Sequence, residues 1–442
     1  MPDTADLLDK ALQELRALHP KKIDLGLERI ERVLEALGRP QDRLPPVIHI
    51  AGTNGKGSVV AYLRAFAEAA GLKAHVYTSP HLVHFRERIV VASQDIDDIP
   101  LIDVLSRVRR ANDGLALSFF EATTAAALLA FSEMPADICL IEVGLGGRYD
   151  ATNVIAHPAC AGITPIDYDH AEFLGRDLAG IAREKAGIIK KDSPVFSGLQ
   201  SDQVNAVLDS EARKAGADIK QWGQDFRSYR QQGRLVYEDA GELLDLPLPA
   251  LPGDHQVQNA GLAIAIARAV HLPLWAIEKG ISAVKWPARL QHLTTGVLTK
   301  RAHEAGAELW LDGGHNPAAA RAVSRAMAEL DSRAPRPLIL ITGILANKDI
   351  GGFLDEFEGL ASAIISLDIT DHASLAPETL IEIAASRNIP GQIAVDLEDA
   401  VKQALNLAVA LSRQPADRPA NPPRILICGS LYLAGEVLKF NS

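Results

Sequence analysis

The feature that most constrains this chain is the apolar run Val47-Ile48-His49-Ile50-Ala51, which stops at Gly52-Thr53-Asn54-Gly55-Lys56-Gly57-Ser58 and gives way to an Ala-rich helical pattern from about Lys56 to Ala70. Strand, glycine-rich loop and helix in that order place the loop at the carboxyl edge of a parallel sheet. Glycines let the backbone wrap closely around oxygens, several amides and the positive helix end face one anion, and Lys56 adds a full charge. The spacing departs from the general phosphate-loop pattern. Ile50 stands where that pattern wants its first Gly, and Gly57 rather than Ser or Thr follows Lys56. Placement still makes phosphate binding the expected role of Gly52, Thr53, Asn54, Gly55, Lys56, Gly57 and Ser58. The alternative is a glycine-rich turn with a surface lysine.

The same alternation continues along the chain. Amphipathic patterns at Thr4–Leu18 and Leu25–Leu37 precede the first strand, and further strands are predicted at Ala74–Thr78, Ile138–Val143, Ala159–Thr164 and Pro194–Ser197. Helical patterns around Ile99–Ala111, Phe119–Phe131 and Ile181–Ile189 separate them, which implies a mostly parallel sheet covered on both faces. Ala217 to Pro252 reads as a small antiparallel excursion ending in a proline-punctuated loop before a helix at Gln256–Val270. Trp286-Pro287-Ala288-Arg289 ends a helix at Lys285 and begins a linker. Strands at Glu308–Leu311, Pro337–Thr342, Ala363–Asp368 and Arg424–Cys428 then interleave with helices near Pro317–Leu330, Pro377–Ser386 and Leu397–Leu411. Ser412–Pro423 reads as a surface loop. The expected fold is α/β: an N-terminal P-loop-type, mostly parallel sheet domain over 1–290 and a smaller Rossmann-like α/β domain over 291–442.

Composition narrows the partners. With 45 Lys and Arg against 56 Asp and Glu, a net charge of −11 and no basic run, the chain is ill suited to nucleic acid. Any phosphate must be gripped locally, which points to a small ligand. No apolar stretch approaches ~18 residues, so no membrane span or signal peptide is expected. Cys139, Cys160 and Cys428 each sit in a short apolar run, as buried strand residues do, and a reducing cytoplasm fits. A monomer is expected.

Several polar positions fall where strands end. Ser79 follows one strand, Glu142 closes another, and Asp169-His170 lies beyond a third; a hydroxyl, a carboxylate and an imidazole could jointly hold Mg²⁺ beside phosphates. Taken singly, Ser79 and His170 read equally well as turn formers and Glu142 as a paired carboxylate. Asp312 and His315, in Leu311-Asp312-Gly313-Gly314-His315-Asn316-Pro317, sit where a strand opens a helix and suit a nucleotide or an amino acid. Asn316-Pro317 reads as a cap and first turn. Two motifs fail on inspection. Gly144-Leu145-Gly146-Gly147 lacks the last glycine of a dinucleotide fingerprint, with Tyr149 in its place, and Asn347-Lys348-Asp349 has Ile350 where a guanine-reading motif needs Asp.

The series HIAGTNGKGS, YTSPHL, FFEATTAAAL, IEVGLGGRYDATNVI, DHAEFLG, EKAGIIK, HQVQNAGLA, WPARLQ, DGGHNP and CGSLYLAGEV resembles the folylpolyglutamate synthase/dihydrofolate synthase family of the Mur ligase superfamily, in family order from His49 to Val437. Asp167-Tyr168 replaces a more usual Gly-Leu, and Gly314 a common Ala. The resemblance implies an ATP-dependent ligase joining L-glutamate to dihydropteroate, tetrahydrofolate or both through an acyl phosphate. It implies that Gly52 to Ser58 cradle ATP, with Lys56 on the terminal phosphates. Ser79, Glu142 and His170 would hold Mg²⁺, and Lys185, as a carbamate, would serve a second Mg²⁺. Asn259, Arg289 and Asp312 would contact the nucleotide, His315 and Ser430 the incoming glutamate, and Phe120, Asp150 and Ala151 the pterin side. Lys56, His170 and Lys185 would carry catalysis. Two other readings stand beside this one: a cell-wall Mur enzyme, and a nucleotide-binding regulator without catalysis. TSPHL and FFEATT favour the folate branch.

Overall fold

The computed structural model describes residues 4–19, 25–370, 372–411 and 421–441. The part of the expected surface loop from Ser412 to Ala420 lies outside the described residues. The chain divides into two compact units, one of Met1–Ala250 with Gln256–Lys285, the other of Leu251–His255 with Trp286–Ser442. The division thus falls between Lys285 and Trp286 rather than after Leu290.

The first unit is built on eight strands: β1 Val47–Ala51, β2 Ala74–Tyr77, β3 Ile89–Val91, β4 Gln94–Asp95, β5 Ile138–Glu142, β6 Cys160–Ile163, β7 Val195–Ser197 and β8 Ile219–Gln221, in the order β4-β3-β2-β5-β1-β6-β7-β8. From β2 to β8 every neighbouring pair is parallel; β3 and β4 add an antiparallel edge. Strands buried on both faces must be apolar throughout, and β1 and β5 are buried at every residue. Cys139, Ile141, Ala161, Ile163 and Val195 share one face of the sheet by register; the first two pack with Leu105, Ala126 and Phe131, the other three with Ile188 and Leu208. All three cysteines are free and buried.

The expected antiparallel excursion is corrected in part. Its first segment, β8, pairs in parallel with β7, and only β9 Phe226–Gln231, β10 Arg234–Asp239 and β11 Leu243–Leu246 form the antiparallel sheet. The expected helix at Ile181–Ile189 starts earlier, at Leu178, where both carboxylate oxygens of Asp177 cap the amides of Ala179 and Gly180. It ends at Lys185 and continues as a tight turn over Ala186–Ile188, in which Gly187 lies so close to Arg148 that a Cβ there would be 2.3 Å from the Arg148 Cα.

The second unit carries six strands: β12 Gln291–Leu293, β13 Glu308–Leu311, β14 Leu338–Thr342, β15 Ala361–Ser366, β16 Gly391–Ile393 and β17 Arg424–Cys428, in the order β12-β13-β17-β14-β15-β16. All pairs are parallel except β12 with β13. Leu340, Leu426, Phe353 and Phe357 share its core. Among the described residues, no helix is long and apolar enough to cross a membrane.

Candidate active site

The loop after β1 is shaped by contacts that only glycine permits. Gly52 has φ +144, and a Cβ there would lie 1.9 Å from the Thr164 hydroxyl. Gly55 has φ +90, and its Cβ would lie 2.5 Å from Asn259 Oδ1. Thr53 N and Asn54 N donate to Pro165 O at 3.0 and 3.4 Å. Thr53 Oγ1 donates to Asp167 O (2.9 Å) and accepts from Asp167 N (3.0 Å). These bonds use the amides at the loop's start, so the cradle it offers is the first turn of helix Lys56–Ala69, whose N–H groups have no partner within the helix.

Two lysines converge on the loop. Lys56 Nζ donates to Gly52 O and Thr53 O, both at 3.2 Å. Lys185 Nζ donates to Gly52 O at 2.8 Å from the end of its helix, and its side chain is 5% exposed. Burial first, then the Lys56 charge, pushes the Lys185 amine down to about 7, against the opposing pull of Asp169 and Asp150. Nothing in the local pattern around Lys185 announces this burial; the carbamate role that the family resemblance implies for it requires an enclosed amine.

At the next strand ends, Ser79 N donates to Glu142 Oε2 at 3.3 Å across β2 and β5, so the structure brings these two together. Glu142 is 6% exposed. His170 adopts a left-handed conformation with φ +52, its amide donates to Asp169 Oδ1 (2.8 Å), and its ring lies 4.0 Å from Asp169 Oδ2. A buried carboxylate held by the amide of a serine residue offers hard-oxygen chemistry and fits a Mg²⁺-like ion, which takes one or two carboxylates and fills its shell with phosphate oxygens and water. Among the described residues, no three His, Cys, Asp or Glu side chains gather.

Asp150 is buried and engaged with its own chain. Its Oδ2 accepts from Leu145 N (2.8 Å), and its Oδ1 accepts from Thr152 N (3.0 Å) and Thr152 Oγ1 (2.6 Å). Thr152 Oγ1 has spent its proton there, so it accepts from His49 Nε2 at 2.9 Å. Burial holds the Asp150 carboxyl above its ordinary range despite these donors. Phe120 is half-buried, with its ring against Gly144 and 6.1 Å from that of Tyr77; Ala151, the first residue of the turn that Asp150 caps, is buried.

Asn259, 5% exposed, donates through Nδ2 to Gln256 Oε1 (3.2 Å), and Gln256 Nε2 donates to Ser58 Oγ (3.2 Å). Sequence reading passed over Gln256, although the i, i+3 spacing to Asn259 puts both on one helix face. It likewise passed over Thr164 and the Thr53–Asp167 pair.

In the second unit, Asp312 ties two segments together: Oδ2 accepts from Leu290 N (2.7 Å) and Oδ1 from Gly314 N (2.6 Å). Gly313 N donates to Ala288 O (2.9 Å), and Ala288 and Leu290 hold left-handed φ values of +55 and +45 around Arg289. A Cβ at Gly313 would lie 3.0 Å from Arg289 Nη1, so Arg289 and Asp312 flank one another. His315 is half-buried, with Nδ1 3.0 Å from Gly313 O, and Asn316 caps helix Pro317–Arg333 as expected. Ser430 caps helix Leu431–Phe440, and Gly429 N donates to Gly314 O (2.9 Å), which draws Ser430 toward the His315 segment.

Comparison with known proteins decides the family. Residues 50–267 match the Mur ligase middle domain and 298–430 the Mur ligase glutamate ligase domain. The dihydrofolate synthase/folylpolyglutamate synthase of Mycobacterium tuberculosis is 34% identical, over 97% of this chain and 91% of its own length. This chain is a member of that family. It is therefore an ATP-dependent acid–amino acid ligase. Two solved structures resemble the ligase over nearly its whole length. Escherichia coli FolC in complex with DHPP and ADP has a TM-score of 0.85 at 31% identity, covering 99% of this chain and 98% of that one. The Yersinia pestis bifunctional folylpolyglutamate synthase/dihydrofolate synthase with AMPPNP and Mn ion has a TM-score of 0.84 at 29% identity, covering 99% of each.

Proposed function

We propose that this ligase joins L-glutamate to the carboxylate of dihydropteroate and of tetrahydrofolate, converting ATP to ADP and phosphate. The observation that carries the reading is the Gly52–Ser58 cradle with Lys56 folded over it, beside the Ser79–Glu142 pair. The relatives bound to ADP with DHPP, and to AMPPNP with Mn, support the substrate and cation classes.

The chemistry follows from what an amide requires. A carboxylate at neutral pH is a poor electrophile, so the γ-phosphoryl group passes to it first and gives an acyl phosphate. The free amine of glutamate then attacks the acyl carbon, the tetrahedral intermediate collapses, and phosphate leaves. The first helical turn after Gly55 binds the phosphate oxygens, and Lys56, exchanging its two carbonyl partners for them, offsets the charge that develops in transfer. Ser79 and Glu142, with His170 on the neighbouring loop, would hold Mg²⁺, whose chemistry when bound is to screen the phosphates and orient them. Lys185 in a carbamylated form would add a second acidic donor; an amine near 7 supports this, since N-carboxylation takes the neutral amine. Asn259, Arg289 and Asp312 are read as nucleotide contacts, and His315 and Ser430 as glutamate contacts. Phe120, with Ala151 behind it, is read as the pterin-side wall. The ligase is expected to act as a cytoplasmic monomer.

The deciding experiment is steady-state ADP release with Mg²⁺, omitting one substrate at a time. Release that needs both glutamate and dihydropteroate, and separately both glutamate and tetrahydrofolate, is expected. Activity with tetrahydrofolate alone would reduce the reading to folylpolyglutamate synthesis, and release indifferent to any pteroate-type acid would overturn it.

A further inference from the structure

The nucleotide cradle is held from two sides, and only one of them belongs to the loop's own neighbourhood. Its first half is pinned by the Pro165–Asp167 segment through the amides of Thr53 and Asn54 and the Thr53 hydroxyl. Its second half is met by one turn of helix Asp254–Ala269. There Asn259 lies against Gly55, so closely that a Cβ on Gly55 would be 2.5 Å from Asn259 Oδ1. Three residues earlier, Gln256 Nε2 donates to Ser58 Oγ while its Oε1 accepts from Asn259 Nδ2, both at 3.2 Å.

We propose that Gln256 is a positioning residue for the phosphate grip: it locks Asn259 and Ser58 into one hydrogen-bonded unit and so fixes the first helical turn before nucleotide arrives. The inference rests on Gly52–Ser58 being the nucleotide cradle. Gln256 and Ser58 are each 1% exposed, so water cannot substitute for either bond, and a buried carboxamide keeps whatever partners the fold provides. Its two ends reach 198 residues back along the chain and three forward, which makes it a bridge between elements rather than part of either. Amides that must all face one anion lose affinity when their turn can drift, because the ligand then has to order it. Gln256 itself touches no phosphate; it acts through Ser58 and Asn259.

The test uses the full-length protein and ADP with Mg²⁺ as the probe, titrated calorimetrically, alongside KM values for ATP and for glutamate. Gln256→Met keeps the side chain's length and removes both hydrogen bonds. It should raise the ADP Kd and the ATP KM about tenfold, the effect of one or two lost hydrogen bonds, with the glutamate KM unchanged. Gln256→Asn, which keeps the carboxamide but falls one methylene short of Ser58, is the second variant and should lose affinity in the same direction. Added to Ser58→Ala, Gln256→Met should cost less than the sum of the two single losses, because the Gln256–Ser58 bond is cut in both. Wild-type ADP affinity in either folded Gln256 variant, or fully additive losses in the double variant, would overturn the proposal. Failure of the unaltered protein to bind ADP would instead overturn the reading of the cradle.

Discussion

Lys56 and Lys185 donate to the same oxygen: Gly52 O lies 3.2 Å from one Nζ and 2.8 Å from the other. Two cations sharing an acceptor repel, and after burial it is the Lys56 charge that does most to bring the Lys185 amine down to about 7. Removing that charge should raise it. In Lys56→Met, titration of Lys185 followed by carbon NMR of its ε-carbon should move to higher pH, leaving less neutral amine at pH 7. An unmoved titration would show that the two lysines do not sense each other.

Lys56→Ala should fold normally, since the side chain's polar contacts are with two carbonyls of its own loop, yet lose turnover by about 10²–10³-fold, as expected when one preorganised donor to a transferring group is removed. Circular dichroism and a single-turnover assay check both halves. Near-normal ligation in the folded variant would remove Lys56 from the mechanism.

Glu142→Gln keeps the shape that accepts from Ser79 N but discards the charge. The Mg²⁺ concentration giving half-maximal activity should rise at least tenfold, the lower end of what losing even an outer-shell metal partner costs. An unchanged Mg²⁺ titration would reject the Ser79–Glu142 pair as a cation site.

His49 predicts how the fold responds to acid. Burial, with a smaller push from Lys190, brings its imidazole down to about 3 from the ordinary 6.5. Between those values the unfolded chain takes a proton that the folded chain refuses, so stability falls as pH drops through that window and is restored above about 6.5. At pH 5 the expected loss from this group is about 2 kcal/mol relative to pH 7.5. Urea unfolding at the two pH values should show this difference, and His49→Gln should shrink it. An equal pH slope in the variant would assign the acid sensitivity elsewhere.

Much of this was legible because it is local. The strand, loop and helix around Gly52–Ser58 announce themselves by apolar runs and glycine placement. Ile89–Val91 and Gln291–Leu293 are not among the strands expected, but most parallel strands of the eight- and six-stranded sheets follow the same signal. The short additions do not: Gln94–Asp95 and Gly391–Ile393 are too brief and too exposed to carry an apolar pattern. The Ser79–Glu142 contact joins positions 63 residues apart, and Gln256 reaches Ser58 across 198. No window of sequence contains either. Lys185 shows the limit most plainly, because Glu184-Lys185-Ala186-Gly187 taken by itself has the look of a solvated helix end, and its enclosure comes from segments distant in sequence, Gly147 against its backbone and Gly52 O against its Nζ.

Asp150 is where position and chemistry divide. A carboxylate at the pterin side of the site could pair with the amino and ring N–H groups of the ligand, and then its loss would harm dihydropteroate more than tetrahydrofolate. The structure gives it a different occupation: its two oxygens close the loop from Leu145 to Thr152, and His49 braces the far end through Thr152. That loop also carries Gly147 and Arg148 against the Lys185 helix, with Arg148 N donating to Glu184 O at 2.7 Å. Asp150→Asn puts an NH₂ where one of two acceptor oxygens meets an N–H. The unmet donor should cost about 1–3 kcal/mol of stability, and the loosened loop should lower both ligation reactions alike. Thermal unfolding together with kcat/KM for each acid distinguishes the roles. A variant of native stability that fails only with dihydropteroate would return Asp150 to direct contact with the pterin, because a buried cap cannot be lost without being felt by the fold.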